Sequence, residues 1–185
     1  MHQTLTSNDQ LTRLAKSYGI HHWEDLIAYV QKLPFGRNKN RTDFSLVLLE
    51  NKGSCSAKHG LLKTLADSNN IAGVNLYLGI YKMNQLNTPG IGEVLTKHGV
   101  EYIPEAHCYL KINNKGLDVT SYQSDFNRIS DDIIEEHKIK PEQVCSYKIN
   151  YHKTWLKNWI IDHNQAMSFQ QLWEIREQCI TQLAS

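Results

Sequence analysis

Three residues have the types and the spacing for nucleophilic chemistry: Cys55, His107 and Asp118. Cys55 follows Gly53-Ser54, and Ser54 reads as the N-cap of a helix with Ala57, Leu61, Leu62 and Leu65 on its apolar side. The thiol therefore belongs to a first helical turn. There, unpaired backbone N–H groups and the positive end of the helix dipole favour an anion. The thiolate is the reactive form of cysteine, and a thiol of ordinary pKa, about 8.5, is only a few per cent ionised at pH 7. A helix N-terminus with an imidazolium beside it lowers that pKa substantially. The same N–H groups suit the oxyanion of a tetrahedral intermediate.

His107 opens a strand over residues 107–112, and Asn113-Asn114-Lys115-Gly116 is a hairpin turn. Asp118 lies just past the turn, at the start of a return strand over residues 117–120. Counted back from the turn, the two side chains sit near the open end of adjacent antiparallel strands, within cross-strand reach. A carboxylate there accepts the imidazole N–H, fixes its tautomer and stabilises the imidazolium. The other ring nitrogen faces Cys55 if the Cys55 helix packs its N-terminus on this sheet.

The elements that must position these groups follow from periodicity and punctuation. Ser7 with Gln10 makes a capping-box pattern, and Leu11, Leu14, Ala15 and Tyr18 share a face before Gly19. A second amphipathic helix covers residues 23–33 and stops before Pro34. Residues 35–41 form a basic, amide-rich loop, and a short helix over 43–51 leads to Gly53. Val74, Leu76, Leu78 and Ile80 alternate with Asn75, Tyr77, Gly79 and Tyr81, a strand pattern. Residues 91–98 suggest a short helix closed by Gly99, 129–139 a helix, 142–149 a strand and 152–163 a helix bearing Trp155 and Trp159. Ser168 with Gln171 opens a last helix to about residue 183. Helices, then strands, then helices indicate an α+β domain rather than a doubly wound sheet.

Composition narrows the function classes. With 20 Lys+Arg against 19 Asp+Glu, the net charge is +1, which gives no electrostatic reason to expect nucleic acid or an anionic membrane as partner. No run approaches the roughly 18 apolar residues that span a bilayer. The polar start, residues 1–10, carries no apolar signal core. The four cysteines form no CxxC pair, so reduced thiols in a cytoplasmic protein are expected. The 185 residues suit one domain.

The order of Gly53-Ser54-Cys55-Ser56-Ala57-Lys58-His59, then Glu105-Ala106-His107-Cys108-Tyr109-Leu110, then Gly116-Leu117-Asp118-Val119-Thr120 resembles the transglutaminase-like superfamily, a branch of the papain-like fold. The resemblance covers residues 33–122, with the terminal helices as cover. It departs from the family where Val119 stands in place of a proline. It implies a Cys-bearing helix packed on a small antiparallel sheet, and a Cys55–His107–Asp118 triad. The implied activity is acyl transfer on an amide or ester through a thioester, as a peptidase, amidase or transglutaminase. The substrate would be a peptide, protein or small amide, with no cofactor and no metal. An upstream side chain usually completes the oxyanion hole in such folds, which points to Asn38, with Asn51 as competitor; Arg37 would clamp a substrate carboxylate.

Plainer roles stand beside these. Cys55 could be a buried residue under a cap, His107 a core histidine and Asp118 a turn residue. His59, one helical turn after Cys55, could pack, support the site, or join a zinc-binding set. Cys108 alternates with His107 and should face the opposite side of the sheet. Trp155 and Trp159 read as core, and Asp131-Asp132 with Glu135-Glu136 as a solvated helix face. The alternative function is a non-catalytic binding module that keeps the fold.

Overall fold

Helix α1 (Gln10–Ser17) begins where the Asp9 carboxylate accepts the backbone N–H groups of Leu11 and Thr12. The cap is therefore Asp9 and not Ser7, whose own N–H is taken by Asn69 Oδ1 at 2.8 Å. In this computed structural model residues 3–163 and 166–184 are described. Helix α2 (Trp23–Lys32) buries Trp23, Leu26 and Val30 and stops before Pro34. Helix α3 (Ser45–Leu49) is shorter than its apolar pattern suggested. Asp43 Oδ1 accepts the Ser45 N–H at its start, and Asn51 turns left-handed (φ 51°) just beyond its end.

Helix α4 (Cys55–Ser68) carries Leu61, Leu62 and Leu65, all fully buried; each such side chain contributes about 1.5–3 kcal/mol. The alternating segment forms β1 (Val74–Met83), followed by α5 (Gly92–His98). Strand β2 (Ile103–Ile112) starts earlier than expected, so His107 lies mid-strand, opposite Gly79. Asn113 and Asn114 both take positive φ (49° and 65°), the two-residue turn that suits a hairpin. The return strand β3 (Lys115–Leu117) ends at Leu117, opposite Leu110. Asp118 thus lies beyond the ladder rather than in it.

Two expectations downstream are overturned. Residues 129–139 are not a helix: two 3-10 turns lead into β4 (Ile133–Lys138), which pairs antiparallel with β1. The open edge of β1 offers unpaired backbone groups, which β4 takes up along Tyr77–Tyr81 with one irregularity at Ile80/Tyr81. Tyr109 and Lys111 both donate to Glu136, and Tyr151 donates to Glu135, so these carboxylates serve a strand and not a solvated helix face. Residues 142–149 are not a strand. Pro141 opens a 3-10 turn (Pro141–Val144), and helix α6 (Ser146–Asp162) starts at once. The Ser168–Gln171 capping box does open α7 (Phe169–Leu183).

The sheet order is β3-β2-β1-β4, all antiparallel. Seven α-helices are present among the described residues, an α+β architecture. One sheet face, with Leu76, Leu78, Cys108 and Leu110, packs on α4, and α1 and α2 pack in turn against α4 in the same core. The other, with Tyr81, Met83 and Tyr109, packs on α5, α6 and α7. Trp155 lies between both cores and Trp159 packs on the second. The closing helices thus stand on the face from which His107 projects.

Candidate active site

The N-terminus of α4 is clamped before any chemistry is considered. Ser54 Oγ accepts the Ala57 N–H, capping the helix. Gly53 exchanges backbone hydrogen bonds with the Pro34–Gly36 segment. A Cβ on Gly53 would come within 2.9 Å of Lys58 Cγ, so the missing side chain lets Lys58 fold inward. Lys58 is fully buried; its ammonium donates to Leu33 O and, at 2.9 Å, to Thr120 O. One helical cation thereby ties α4 to the loop on one side and to the Asp118 segment on the other.

Cys55, His107 and Asp118 meet where β3 stops short and leaves an edge of β2 uncovered. His107 Nε2 lies 2.9 Å from Asp118 Oδ2. Asp118 Oδ1 accepts the Thr120 N–H (2.9 Å) and hydroxyl (2.6 Å), so both oxygens are held. With Nε2 given to Asp118, the other ring nitrogen of His107 is the one left for Cys55, and the two groups lie close enough that each shifts the other's ionisation. His107 stands on the face of Tyr81 and Tyr109, whereas the Cys108 side chain enters the opposite core, as alternation required. The Cys108 backbone also lowers the pKa of the Cys55 thiol, and the Ser56 hydroxyl donates to the Cys108 sulfur behind it.

His59 supports the triad without joining it. Its Nδ1 bonds to Cys55 O (2.8 Å), and its Nε2 accepts the Val119 N–H (3.0 Å). That pattern requires the neutral Nδ1–H tautomer. Burial drives the pKa down to about 4, against the pull of Asp118. The 3.6 Å approach of His59 to Asp118 is therefore not an ion pair at neutral pH. Among the described residues no group of three or more His, Cys, Asp or Glu is arranged to hold a metal ion.

Burial alone would raise the Cys55 thiol, but the charges of Lys148 and then His107 outweigh it, and the pKa falls to about 5. Burial pushes His107 down, but Asp118 and Cys55 together carry it up to about 10. Asp118 is raised by burial and pulled well below the usual carboxylate range by His107. The thiol is thus shifted down and the imidazole up, which favours a thiolate beside an imidazolium near neutral pH. Burial raises Cys108 to about 11, which keeps it a thiol.

Lys148 was not foreseen. It lies in the first turn of α6, buried, with Nζ 3.2 Å from Cys55 Sγ and 3.0 Å from Ser56 Oγ. Burial lowers its pKa, but Cys55, Cys108 and Glu105 raise it more, so the net shift is upward. Glu105, on β2, is gripped bidentately by Arg176 Nε (2.8 Å) and Nη2 (2.6 Å) from α7. Arg176 continues to Glu177, and Glu177 to Arg37 at 2.9 Å. This chain of alternating charges walls a cavity of about 570 Å³ lined by Cys55, His107, Lys148 and Arg176, with apolar surface from Phe35 and Trp173.

The two loop residues part company. Arg37 lines the cavity, but its guanidinium is paired with Glu177. Asn38 is not an oxyanion donor. Its Nδ2 donates to Leu46 O, Glu50 Oε2 and Lys52 O at 3.0–3.1 Å, folding the loop, and its Oδ1 is buried with no hydrogen-bond partner. Asn51 accepts from Tyr29 instead of reaching Cys55. The signal for Lys148 was obscured once residues 142–149 were read as a strand. A helix beginning just after Pro141 would have placed Lys148 and His152 four apart on one face. Comparison with family models, with curated proteins and with solved structures finds no match for this chain.

Proposed function

We propose that this chain is a cysteine-dependent acyl-transfer enzyme with transglutaminase-like, papain-like organisation, acting on an amide or ester carbonyl. The observation that carries the reading is Cys55, at the start of α4, sharing one cavity wall with a His107 that Asp118 holds and that favours its ionisation, in a cavity large enough for a peptide side chain or a small amide. The Cys55 sulfur attacks the carbonyl carbon; the C–S bond forms and the π pair moves to oxygen. As that pair returns, the bond to the leaving group breaks, and the leaving amine or alcohol takes the proton from the His107 imidazolium. Asp118 holds the ring in the tautomer this needs. Water or an amine then gives its proton to His107 and attacks the thioester. The C–S bond breaks and the thiolate returns. Water makes the activity that of a peptidase or amidase, and an amine that of a transglutaminase.

The test is acylation by p-nitrophenyl acetate, read by intact mass and by peptide mapping. Wild type should gain one acetyl group on Cys55, removable by hydroxylamine as a thioester is, while Cys55→Ala should release nitrophenol no faster than unfolded chain. Full turnover in Cys55→Ala would end this reading.

A further inference from the structure

Every acyl transfer through a thioester must stabilise the oxygen that becomes negative in the tetrahedral intermediate. The amide that sequence suggested, Asn38, is committed to three carbonyl and carboxylate acceptors in its own loop. In its place the site holds a cation. Lys148 Nζ lies 3.2 Å from the reacting sulfur and 3.0 Å from Ser56 Oγ, and its side chain lines the cavity. An ammonium has three N–H donors. Two meet Cys55 and Ser56, and the third remains for a group entering the cavity.

The position is unfavourable for stability alone. Lys148 is in the first turn of α6, the end at which the helix dipole opposes a cation, and burying an ammonium carries a large desolvation cost. The surroundings hold it charged. Cys55 meets it from α4 and Glu105 faces it from β2 beside the Arg176 pair, while Cys108, a neutral thiol against Ser56, and His152, one turn on along α6 and lowered by burial, add no opposing charge. Favourable charge is therefore concentrated where Lys148 touches Cys55.

We propose that Lys148 is the oxyanion-binding catalytic group of this site, its ammonium meeting the thiolate in the resting protein and the carbonyl oxygen of the acyl donor in the tetrahedral intermediate. The proposal rests on the acyl-transfer reading above. When Sγ bonds to the carbonyl carbon, negative charge leaves sulfur and appears on an oxygen two bonds away. A cation already in contact with sulfur meets that oxygen with little movement, assisted by the first backbone N–H groups of α4. When the C=O reforms and the leaving group takes its proton from His107, Lys148 keeps all of its own. The device differs from a neutral amide donor because one group serves both the nucleophile and the oxyanion.

The experiment compares two reactions of the same sulfur. Iodoacetamide alkylation displaces iodide at a saturated carbon and creates no oxyanion, whereas acylation by p-nitrophenyl acetate creates one. Both rates are measured against pH for wild type, Lys148→Met and Lys148→Arg, with cooperative thermal unfolding confirming each fold; Lys148→Gln replaces the Met variant should that one fail to fold. In Lys148→Met the alkylation midpoint should rise from about 5. Above the new midpoint, with the thiol ionised in both proteins, the ratio of acylation to alkylation should fall about 100-fold, as for loss of one oxyanion donor. Lys148→Arg should recover a large part of that ratio. An unchanged ratio in Lys148→Met would reduce Lys148 to a thiolate partner and overturn the proposal, leaving the triad reading intact. A wild type that forms no Cys55 acyl adduct would remove both.

Discussion

The triad makes a quantitative demand on the thiol that removal of His107 should expose. Two cations, Lys148 and His107, together overcome burial and bring Cys55 from an ordinary value of 9 to about 5. Because their combined pull also offsets burial, taking away one of them, in His107→Ala, should return at least half of that net change, about 2 units as a floor, placing the thiol near pH 7 or above. At that floor the ionised fraction at pH 6 would drop from about 0.9 to about 0.1. The rate at pH 6 is nevertheless a poor readout. A more basic thiolate is a better nucleophile, and with a Brønsted slope of about 0.4–0.5, two units raise its intrinsic reactivity roughly 6- to 10-fold. The two effects nearly cancel there. The midpoint of the whole pH–rate curve is free of this compensation. The assay is therefore iodoacetamide alkylation from pH 4 to 10, read for each cysteine by peptide mass spectrometry. Wild-type Cys55 should show a midpoint near 5, and His107→Ala one near 7 or above with a higher plateau. Cys108 and Cys179, both held near 11 by burial, should stay slow throughout. A wild-type midpoint near 9, or one that His107→Ala leaves in place, would refute the assembled pair.

Asn38→Ala should cost stability without touching the site: the two N–H donors of one buried amide, shared among three acceptors, amount to about 1–3 kcal/mol in denaturant unfolding, while the Cys55 alkylation midpoint stays where it was. Glu105→Gln should destabilise by about 1–3 kcal/mol, because it removes one of the two carboxylates of the largely buried Arg176 guanidinium and leaves only Glu177. Replacing both members, as Glu105→Gln/Arg176→Met, should cost less than the sum of the singles, which a double-mutant cycle measures. The thiolate–imidazolium pair should also shape stability with pH. Cys55, depressed to about 5, contributes stability that is full above its unfolded value of 9 and lost as pH falls through 5; His107, raised to about 10, contributes stability that is full below 6.5 and lost as pH rises through 10. From 6.5 to 9 the two proton balances cancel. The unfolding free energy of wild type minus that of Cys55→Ala/His107→Gln should therefore be flat across that window, falling on each side with a limiting slope of about 1.4 kcal/mol per pH unit.

How far these features were legible in the sequence depended on whether the cause was local. The Ser54 cap, the turn at Asn113-Asn114 and the Ser168–Gln171 box each rest on a few adjacent residues, and each is where the pattern placed it. The same holds for the pairing of His107 with Asp118, which the hairpin brings together over eleven positions. What failed was decided at a distance. Residues 133–138 became a strand because β1 had an open edge, and no periodicity within the segment reports that vacancy. Asn38 has the right chemistry for an oxyanion hole, yet Leu46, Glu50 and Lys52 use its amide, and those partners were set by how the loop closes. Ser7 leaves the cap to Asp9 for a similar reason: its Oγ accepts the Asp9 N–H, and its own N–H goes to Asn69, the C-cap of α4.

The last quarter of the chain shows why a motif-bearing middle is an incomplete description of a site. Residues 33–122 hold the nucleophile, the imidazole and the carboxylate, but little in that stretch besides His107 supplies positive charge directly to the thiol. That charge arrives from α6 as Lys148, across more than ninety residues of chain. Arg176 of α7 in turn neutralises Glu105, which would otherwise face Lys148 as an unpaired buried carboxylate. Were α7 to separate, Glu105 would draw the ammonium away from sulfur, and the thiol would lose the first of its two stabilising cations. Docking of the closing helices and ionisation of Cys55 are therefore linked. Arg176→Met, read through the alkylation midpoint of Cys55 and not through unfolding alone, should raise that midpoint even though residue 176 does not touch the sulfur.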